Sequence, residues 1–320
     1  MAKFRVLLTD FAWGDVEIER RTLARCDAEL LVAPRTDEAT LCRLAVDVDA
    51  IMTCWAPVTG KVIQAAKACR IVARLGIGLD NIAVDEATRR GILVTNVPGY
   101  CLVEVAEHTL ALLLALGRKV AWYHQQTKGG FYDIRSGPPL KRIAGQTLGL
   151  VGLGGIGKQV ARMANCLGLR VIGTSRTKNK KVAGVRWCGF DELLEQSDFV
   201  SLHLPLSPAT RHLLGAEQFA RMKPGAWLIN TARGGLVDHA ALAAALQSGH
   251  LSGAALDVQD PEPPDLTLPP FSDPRVIVTP HAAFMSETSV NDLRQRAAEQ
   301  VAAALTGGRP EHVVNPEALD

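Results

Sequence analysis

The run Thr147-Leu-Gly-Leu-Val-Gly-Leu-Gly-Gly-Ile-Gly-Lys158 sets Gly152, Gly154 and Gly157 at the spacing G-x-G-x-x-G, directly after an apolar strand pattern and directly before a helix-like one. In that context Gly152 permits a tight turn, Gly154 lets the backbone approach a pyrophosphate, and Gly157 lets helix and strand pack closely. Gly155 and Ile156 complete the turn at the helix N-terminus, whose N–H groups hold phosphates. The run predicts a Rossmann dinucleotide-binding domain. It begins only at residue 147, so there is room upstream for another α/β unit.

That upstream third alternates short apolar runs with helix-like stretches. Phe4 to Leu8, Glu29 to Val32, Ala50 to Cys54, Arg70 to Leu75 and Ile92 to Thr95 read as buried strands of a doubly wound parallel sheet, a flavodoxin-like substrate domain. Asn96-Val-Pro-Gly99 breaks the pattern and marks a hinge before Val103 to Lys119, an Ala/Leu-rich stretch long enough to cross between domains. A Gly/Pro-rich loop from Phe131 to Arg142 leads into the second strand series. That series is Thr147 to Val151, Arg170 to Thr174, Phe199 to His203, Ala226 to Asn230, Gly253 to Asp257 and Arg275 to Thr279. Glu287 to Leu305 reads as an amphipathic helix returning to the first domain. The expected division is therefore α/β throughout, with 1–98 plus 286–320 as a discontinuous substrate domain and 99–285 as the dinucleotide domain.

The bulk properties narrow the partners. With 35 Lys plus Arg against 33 Asp plus Glu, the formal charge of +2 offers no field to attract nucleic acid or an anionic membrane. The most apolar stretch, around Leu110 to Leu116, falls short of a bilayer span. Seven dispersed cysteines with no C-x-x-C pair fit free thiols in a reducing cytoplasm, and no His/Cys cluster has metal-ligand spacing.

Three ionisable residues follow three successive strand ends: Arg233 in Thr231-Ala-Arg-Gly-Gly235, Glu262 beyond Gly253-Ala-Ala-Leu-Asp257, and His281 in Thr279-Pro-His281. In an open α/β sheet ligands sit outside the carboxyl ends of strands. Arg233 suits a carboxylate through its planar fork. A histidine can donate a proton near neutral pH, and a carboxylate beside it orients the ring and favours its charged form.

Together these segments resemble the D-isomer-specific 2-hydroxy acid dehydrogenase family over essentially the whole chain. The matching stretches are Leu75-Gly-Ile-Gly-Leu-Asp-Asn81, Asn96-Val-Pro98, the glycine loop, Leu202-His-Leu-Pro-Leu206, Asn230-Thr-Ala-Arg-Gly-Gly235, Gly253 to Asp257 with Glu262, and Thr279-Pro-His281. The resemblance implies that Arg233 binds and polarises the 2-oxo acid, that His281 is the acid/base and that Glu262 pairs with it. It implies that the backbone of Gly76, Ile77 and Gly78 holds the substrate carboxylate, and that His203, Pro205, Thr231 and Asp257 belong to the cofactor site, with Asp257 near the nicotinamide. Gly99 to His108 and His281 to Glu287 look closest to the branch containing the C-terminal-binding proteins, which includes corepressors as well as enzymes.

Cofactor choice is written after the second strand of the glycine-loop domain. NAD sites place Asp or Glu there to accept the ribose hydroxyl, whereas residues 158–190 contain no acid and Ser175 and Arg176 occupy the turn, followed by Lys178, Lys180 and Lys181. A hydroxyl with a guanidinium suits a 2′-phosphate, so NADPH is expected over NADH. The expected activity is NADPH-dependent reduction of a small 2-oxo acid, of the glyoxylate or hydroxypyruvate reductase kind. Phosphoglycerate dehydrogenase and a dinucleotide-regulated, corepressor-like binding protein are the alternatives. A homodimer built on Val103 to Lys119 and the loop after it completes the expectations, with Trp55, Tyr100 and Phe284 as candidates for side-chain specificity.

Overall fold

A computed structural model describes residues 2–137, 140–177 and 181–319. Lys178 and Lys180, part of the expected basic turn, lie outside the described residues. The chain divides into two compact units, one of residues 1–100 and 286–320 and the other of residues 101–285.

The first unit opens with β1 (Phe4–Leu8), α1 (Glu17–Ala24), β2 (Ala28–Val32), α2 (Glu38–Ala45), β3 (Ala50–Thr53), α3 (Gly60–Ala65), β4 (Ile71–Arg74), α4 (Val84–Arg89) and β5 (Leu93–Thr95). Its sheet is parallel in the order β2-β1-β3-β4-β5, with Val6 opposite Leu30 on one side and Ala50 on the other. This is the flavodoxin order. Both faces are covered by helices, which is why β3 and β4 are buried at every position and read as continuous apolar runs.

The second unit begins with α5 (Leu102–Gly117) and α6 (Val120–Lys128), followed by β6 (Thr147–Val151), α7 (Gly155–Cys166), β7 (Arg170–Thr174) and β8 (Val185–Trp187). It continues through α8 (Phe190–Gln196), β9 (Phe199–Leu202), α9 (Ala216–Arg221), β10 (Trp227–Asn230), α10 (His239–Gln247), β11 (Gly253–Leu256) and β12 (Val276–Val278). Seven parallel strands run in the order β12-β11-β10-β9-β6-β7-β8, a Rossmann sheet whose order reverses at β6. Leu110, Leu113 and Leu116 of α5 pack with Leu148, Leu150, Val160 and Phe199 in one core.

Two details depart from the sequence expectation. The edge strand β8 is a seventh strand; its Val185-Arg186-Trp187 alternates partly buried, exposed and partly buried over only three residues, too short a run to read as a strand. The Val103 to Lys119 stretch is also not one element crossing between domains. α5 stops at Gly117, lies in the second unit, and Lys119 takes a left-handed φ of +56° that starts α6 in a new direction.

The last helix, α11 (Glu287–Leu305), belongs to the first unit and is capped by Ser286, which accepts from Ser289 N–H at 2.9 Å. It packs on α1 and on β3 and β4. Arg294 of this helix donates to fully buried Glu19 of α1 at 2.8 and 2.9 Å.

Candidate active site

The glycine loop is shaped by contacts that leave no room for side chains. Gly152 has φ +107°, and a Cβ there would lie 2.1 Å from the His203 carbonyl oxygen; a Cβ on Gly157 would lie 2.2 Å from the Gly152 oxygen. Gly154 behaves differently. It caps α7, and a Cβ on it would meet nothing within 4 Å. With no acid in the first turn of α7, open space beside unpaired helix N–H groups is a cradle for a phosphate, and a dinucleotide fits it. Gly155 packs on Leu102, and Ile156 on the core beneath.

Around this loop lie the other residues read as cofactor contacts. His203 directly follows β9, with Nε2 at 2.9 Å from Ser201 Oγ, and burial of its ring pulls its pKa down to about 4. Its imidazole is therefore neutral and its backbone carbonyl abuts Gly152, while Pro205 is exposed two residues on. Ser175 follows β7 and donates to the Thr177 carbonyl at 2.7 Å, leaving its oxygen lone pairs for another donor. Arg176 is exposed.

The three ionisable residues sit on turns after β10, β11 and β12. Asn230 is fully buried, and its carboxamide closes the first turn: Nδ2 donates to the Arg233 carbonyl at 2.8 Å and Oδ1 accepts from Ala232 N–H at 3.0 Å. Arg233 Nη1 donates to the Ala232 carbonyl at 2.7 Å. On the second turn Glu262 accepts twice, from Gln259 N–H through Oε1 and from His281 Nδ1 through Oε2, each at 2.9 Å. Burial pushes the Glu262 carboxyl up, but the hydrogen bond and charge of His281, the Gln259 N–H and the charge of Arg233 outweigh it. The group is held below the ordinary carboxylate range.

His281 occupies the left-handed region at φ +53°, costly for a residue with a Cβ. The turn is held by Asp257, fully buried, whose carbonyl accepts His281 N–H at 2.8 Å and whose carboxylate accepts Ala282 and Ala283 N–H at 2.9 Å each. Phe284 meets the imidazole edge-to-face at 6.3 Å between centroids. Asp257 thus serves the histidine turn directly, a role that the sequence reading did not assign to it.

In the first unit the Gly76–Gly78 loop is anchored by its carbonyls. Arg74 Nε donates to Gly78 O at 3.0 Å and its Nη1 to Leu75 O and Thr53 O, while Asn96 Nδ2 donates to Ile77 O at 2.8 Å and Val97 N–H to Gly76 O at 3.0 Å. Among the described residues no hydrogen bond engages the N–H groups of Gly76, Ile77 or Gly78, so the loop presents donors suited to an anion. Arg74, 8% exposed, escaped the sequence reading because it closes an apolar strand run. Nearby, Asp10 accepts Cys54 and Trp55 N–H at 3.0 and 2.7 Å, fixing the loop that carries partly exposed Trp55.

Residues 110–283 match the family described as D-isomer specific 2-hydroxyacid dehydrogenase, NAD binding domain. The chain belongs to that family. This dehydrogenase is 38% identical over 317 residues to a glyoxylate reductase of Korarchaeum cryptofilum, covering 95% of each chain. It is 40% identical over 262 residues to a D-3-phosphoglycerate dehydrogenase of Methanocaldococcus jannaschii; that match covers 81% of this chain but spans only 50% of the relative's length. Among solved structures, a D-lactate dehydrogenase from Aquifex aeolicus complexed with NAD and lactic acid superposes with a TM-score of 0.88 at 28% identity, covering 97% of this chain and 99% of the other. The dehydrogenase is accordingly an oxidoreductase that uses a nicotinamide dinucleotide. No helix among its described residues is long and apolar enough to cross a membrane.

Proposed function

We propose that this dehydrogenase reduces a small 2-oxo acid to the D-2-hydroxy acid with NADPH, in the manner of a glyoxylate or hydroxypyruvate reductase. The observation that carries the reading is the Glu262–His281 pair beside the Arg233 turn. Residues 101–285 act as the cofactor unit, with Gly152, Gly154, Gly155, Ile156, Gly157, His203, Pro205, Thr231 and Asp257 around the dinucleotide. The N–H groups of Gly76, Ile77 and Gly78 are assigned to the substrate carboxylate.

The bound nicotinamide supplies the hydride. Arg233 pairs with the 2-oxo acid and draws electron density toward the carbonyl oxygen, which makes the carbon more electrophilic. His281, held through Nδ1 by ionised Glu262, directs Nε2 at that oxygen and delivers its proton. Glu262 stabilises the ring's charge before transfer, and its second bond to Gln259 N–H keeps it from rotating away.

The Ser175-Arg176 turn at the end of β7 supports NADPH, since an acid for the ribose hydroxyl is missing there. None of the seven cysteines is in a disulfide, which supports a reducing cytoplasm. For a homodimer, the support has shifted along the chain. Leu110, Leu112, Leu113 and Leu116 of α5 are spent in its own core, which leaves Val103 and Leu114 on the helix surface at 43 and 36% exposure, whereas Val120, Phe131, Tyr132 and Ile134 are 58 to 92% exposed. Sedimentation at micromolar concentration should show a dimer, and a monomer would remove that part.

The deciding experiment is oxidation of NADPH and NADH with glyoxylate, hydroxypyruvate, longer 2-oxo acids and 3-phosphohydroxypyruvate. Turnover with NADPH and a small 2-oxo acid is expected. Preference for the phosphorylated acid would favour phosphoglycerate dehydrogenase, and cofactor binding without turnover of any acid would favour a regulatory binding protein.

A further inference from the structure

We propose that the dipeptide His108-Thr109 on α5 is a shared brace that fixes the spacing between Arg233 and His281. The inference rests on the reading above, in which these two residues bind the 2-oxo acid and supply its proton.

Thr109 is fully buried, and its hydroxyl donates to the Val105 carbonyl one turn back at 2.7 Å. A hydroxyl has one proton, so the 2.9 Å contact between Thr109 Oγ1 and Thr231 Oγ1 runs in one direction: Thr231 donates and Thr109 accepts. Thr231 is the first residue past β10 and lies inside the turn that Asn230 closes around Arg233.

His108 reaches the other turn. Thr279 Oγ1 donates to Asp257 Oδ1 at 2.6 Å, so His108 Nε2, 3.1 Å from the same hydroxyl oxygen, is the donor and carries a proton. His108 Nε2 is also 3.5 Å from Asp257 Oδ1. The chain of bonds from His108 through Thr279 to Asp257 ends on the N–H groups of Ala282 and Ala283, the two residues that follow the strained His281.

The arrangement answers a problem of the sheet. β10 and β12 are not neighbours, since β11 stands between them, so no ladder bond ties the Arg233 turn directly to the His281 turn. Adjacent helical residues project about 100° apart. One step along α5 therefore serves both turns from a single rigid element. His108 and Thr109 are positioning residues: they act on the reaction only through the turns they hold.

The test measures kcat, KM for the best 2-oxo acid, NADPH Kd and Tm for His108→Ala, His108→Gln, Thr109→Val, Thr109→Ser, Thr279→Val and the double variant His108→Ala/Thr279→Val. Displacing catalytic groups by an ångström costs up to roughly a hundredfold. His108→Ala and Thr109→Val should lower kcat about tenfold or more, with KM and NADPH Kd within about threefold. His108→Gln and Thr109→Ser, which restore a donor and an acceptor, should recover most of kcat, and the double variant should be no worse than Thr279→Val alone. Near wild-type kcat in His108→Ala and Thr109→Val, multiplying losses in the double variant, or no recovery in the conservative variants would overturn the brace. Arg233→Ala and His281→Ala are measured alongside. If these keep activity, the functional reading itself fails and takes the brace with it; if they lose activity while His108→Ala and Thr109→Val keep it, the brace alone fails.

Discussion

Glu262 and His281 are joined at 2.9 Å through Oε2 and Nδ1, with the other carboxylate oxygen fixed by Gln259 N–H. With Nδ1 engaged in this way, the proposed mechanism assigns Nε2 to the substrate. General acid–base groups contribute roughly 10²- to 10⁴-fold, so His281→Ala should lower kcat/KM by about that factor. Glu262→Gln keeps the shape but removes the charge and should cost about ten- to a hundredfold, mainly in kcat. NADPH binding by fluorescence titration should stay nearly unchanged in both. Activity of either variant within a few fold of wild type would refute the assigned roles.

His203 gives a stability signal with a defined sign. Its pKa is depressed to about 4 by burial, against 6.5 for an ordinary ring. As pH falls below 6.5 the unfolded chain takes up this proton and the folded chain does not, so stability is lost steadily down to about pH 4. The full loss from this one group is ~3 kcal/mol. His203→Gln should flatten that part of the curve. Denaturant unfolding of the two proteins at pH 7 and pH 4.5 checks it, and parallel losses would show that the ring titrates normally.

The proposed preference for NADPH rests on Ser175 and Arg176. Exchanging Ser175 for Asp and Arg176 for a neutral residue should weaken NADPH about ten- to a hundredfold and strengthen NADH, because the carboxylate gains a ribose hydroxyl and repels the 2′-phosphate. Titration of both cofactors into both proteins decides it: equal wild-type affinities, or no shift on substitution, make the turn an ordinary solvated one.

The Arg294–Glu19 pair offers a test of the fold. Glu19 is fully buried, so Arg294→Met strands a carboxylate and should cost about 3–5 kcal/mol. Adding Glu19→Leu should return most of it. Hydrogen exchange of α1 and α11 amides reports the first unit on its own, and equal protection in the single and double variants would count against the assignment.

Much of this architecture was legible because its signals are local. β1, β6 and β7 occupy the spans that their apolar runs mark, and α11 runs from Glu287 to Leu305 as its pattern indicates. β8 was not legible, since the alternation of Val185, Arg186 and Trp187 covers only three residues, too few to establish a period. At the site, the types and order of Arg233, Glu262 and His281 were readable. The residues that hold them were not. Asn230, Gln259, His108 and Thr109 work through hydrogen bonds to backbone or to partners far away in sequence, and a residue type announces that it can bond without saying to what.

The discontinuity of the first unit has a consequence for the order in which the protein is made. Its sheet is complete once Thr95 has been added, yet α11, which covers β3 and β4, begins only at Glu287. At synthesis rates of about 5–20 residues per second the uncovered face waits on the order of ten to forty seconds. The second unit can close on itself in that interval, because all its strands precede Met285. The complete but half-covered N-terminal sheet is thus the surface that a chaperone on the ribosome would shield, and α11 is the helix that ends that exposure.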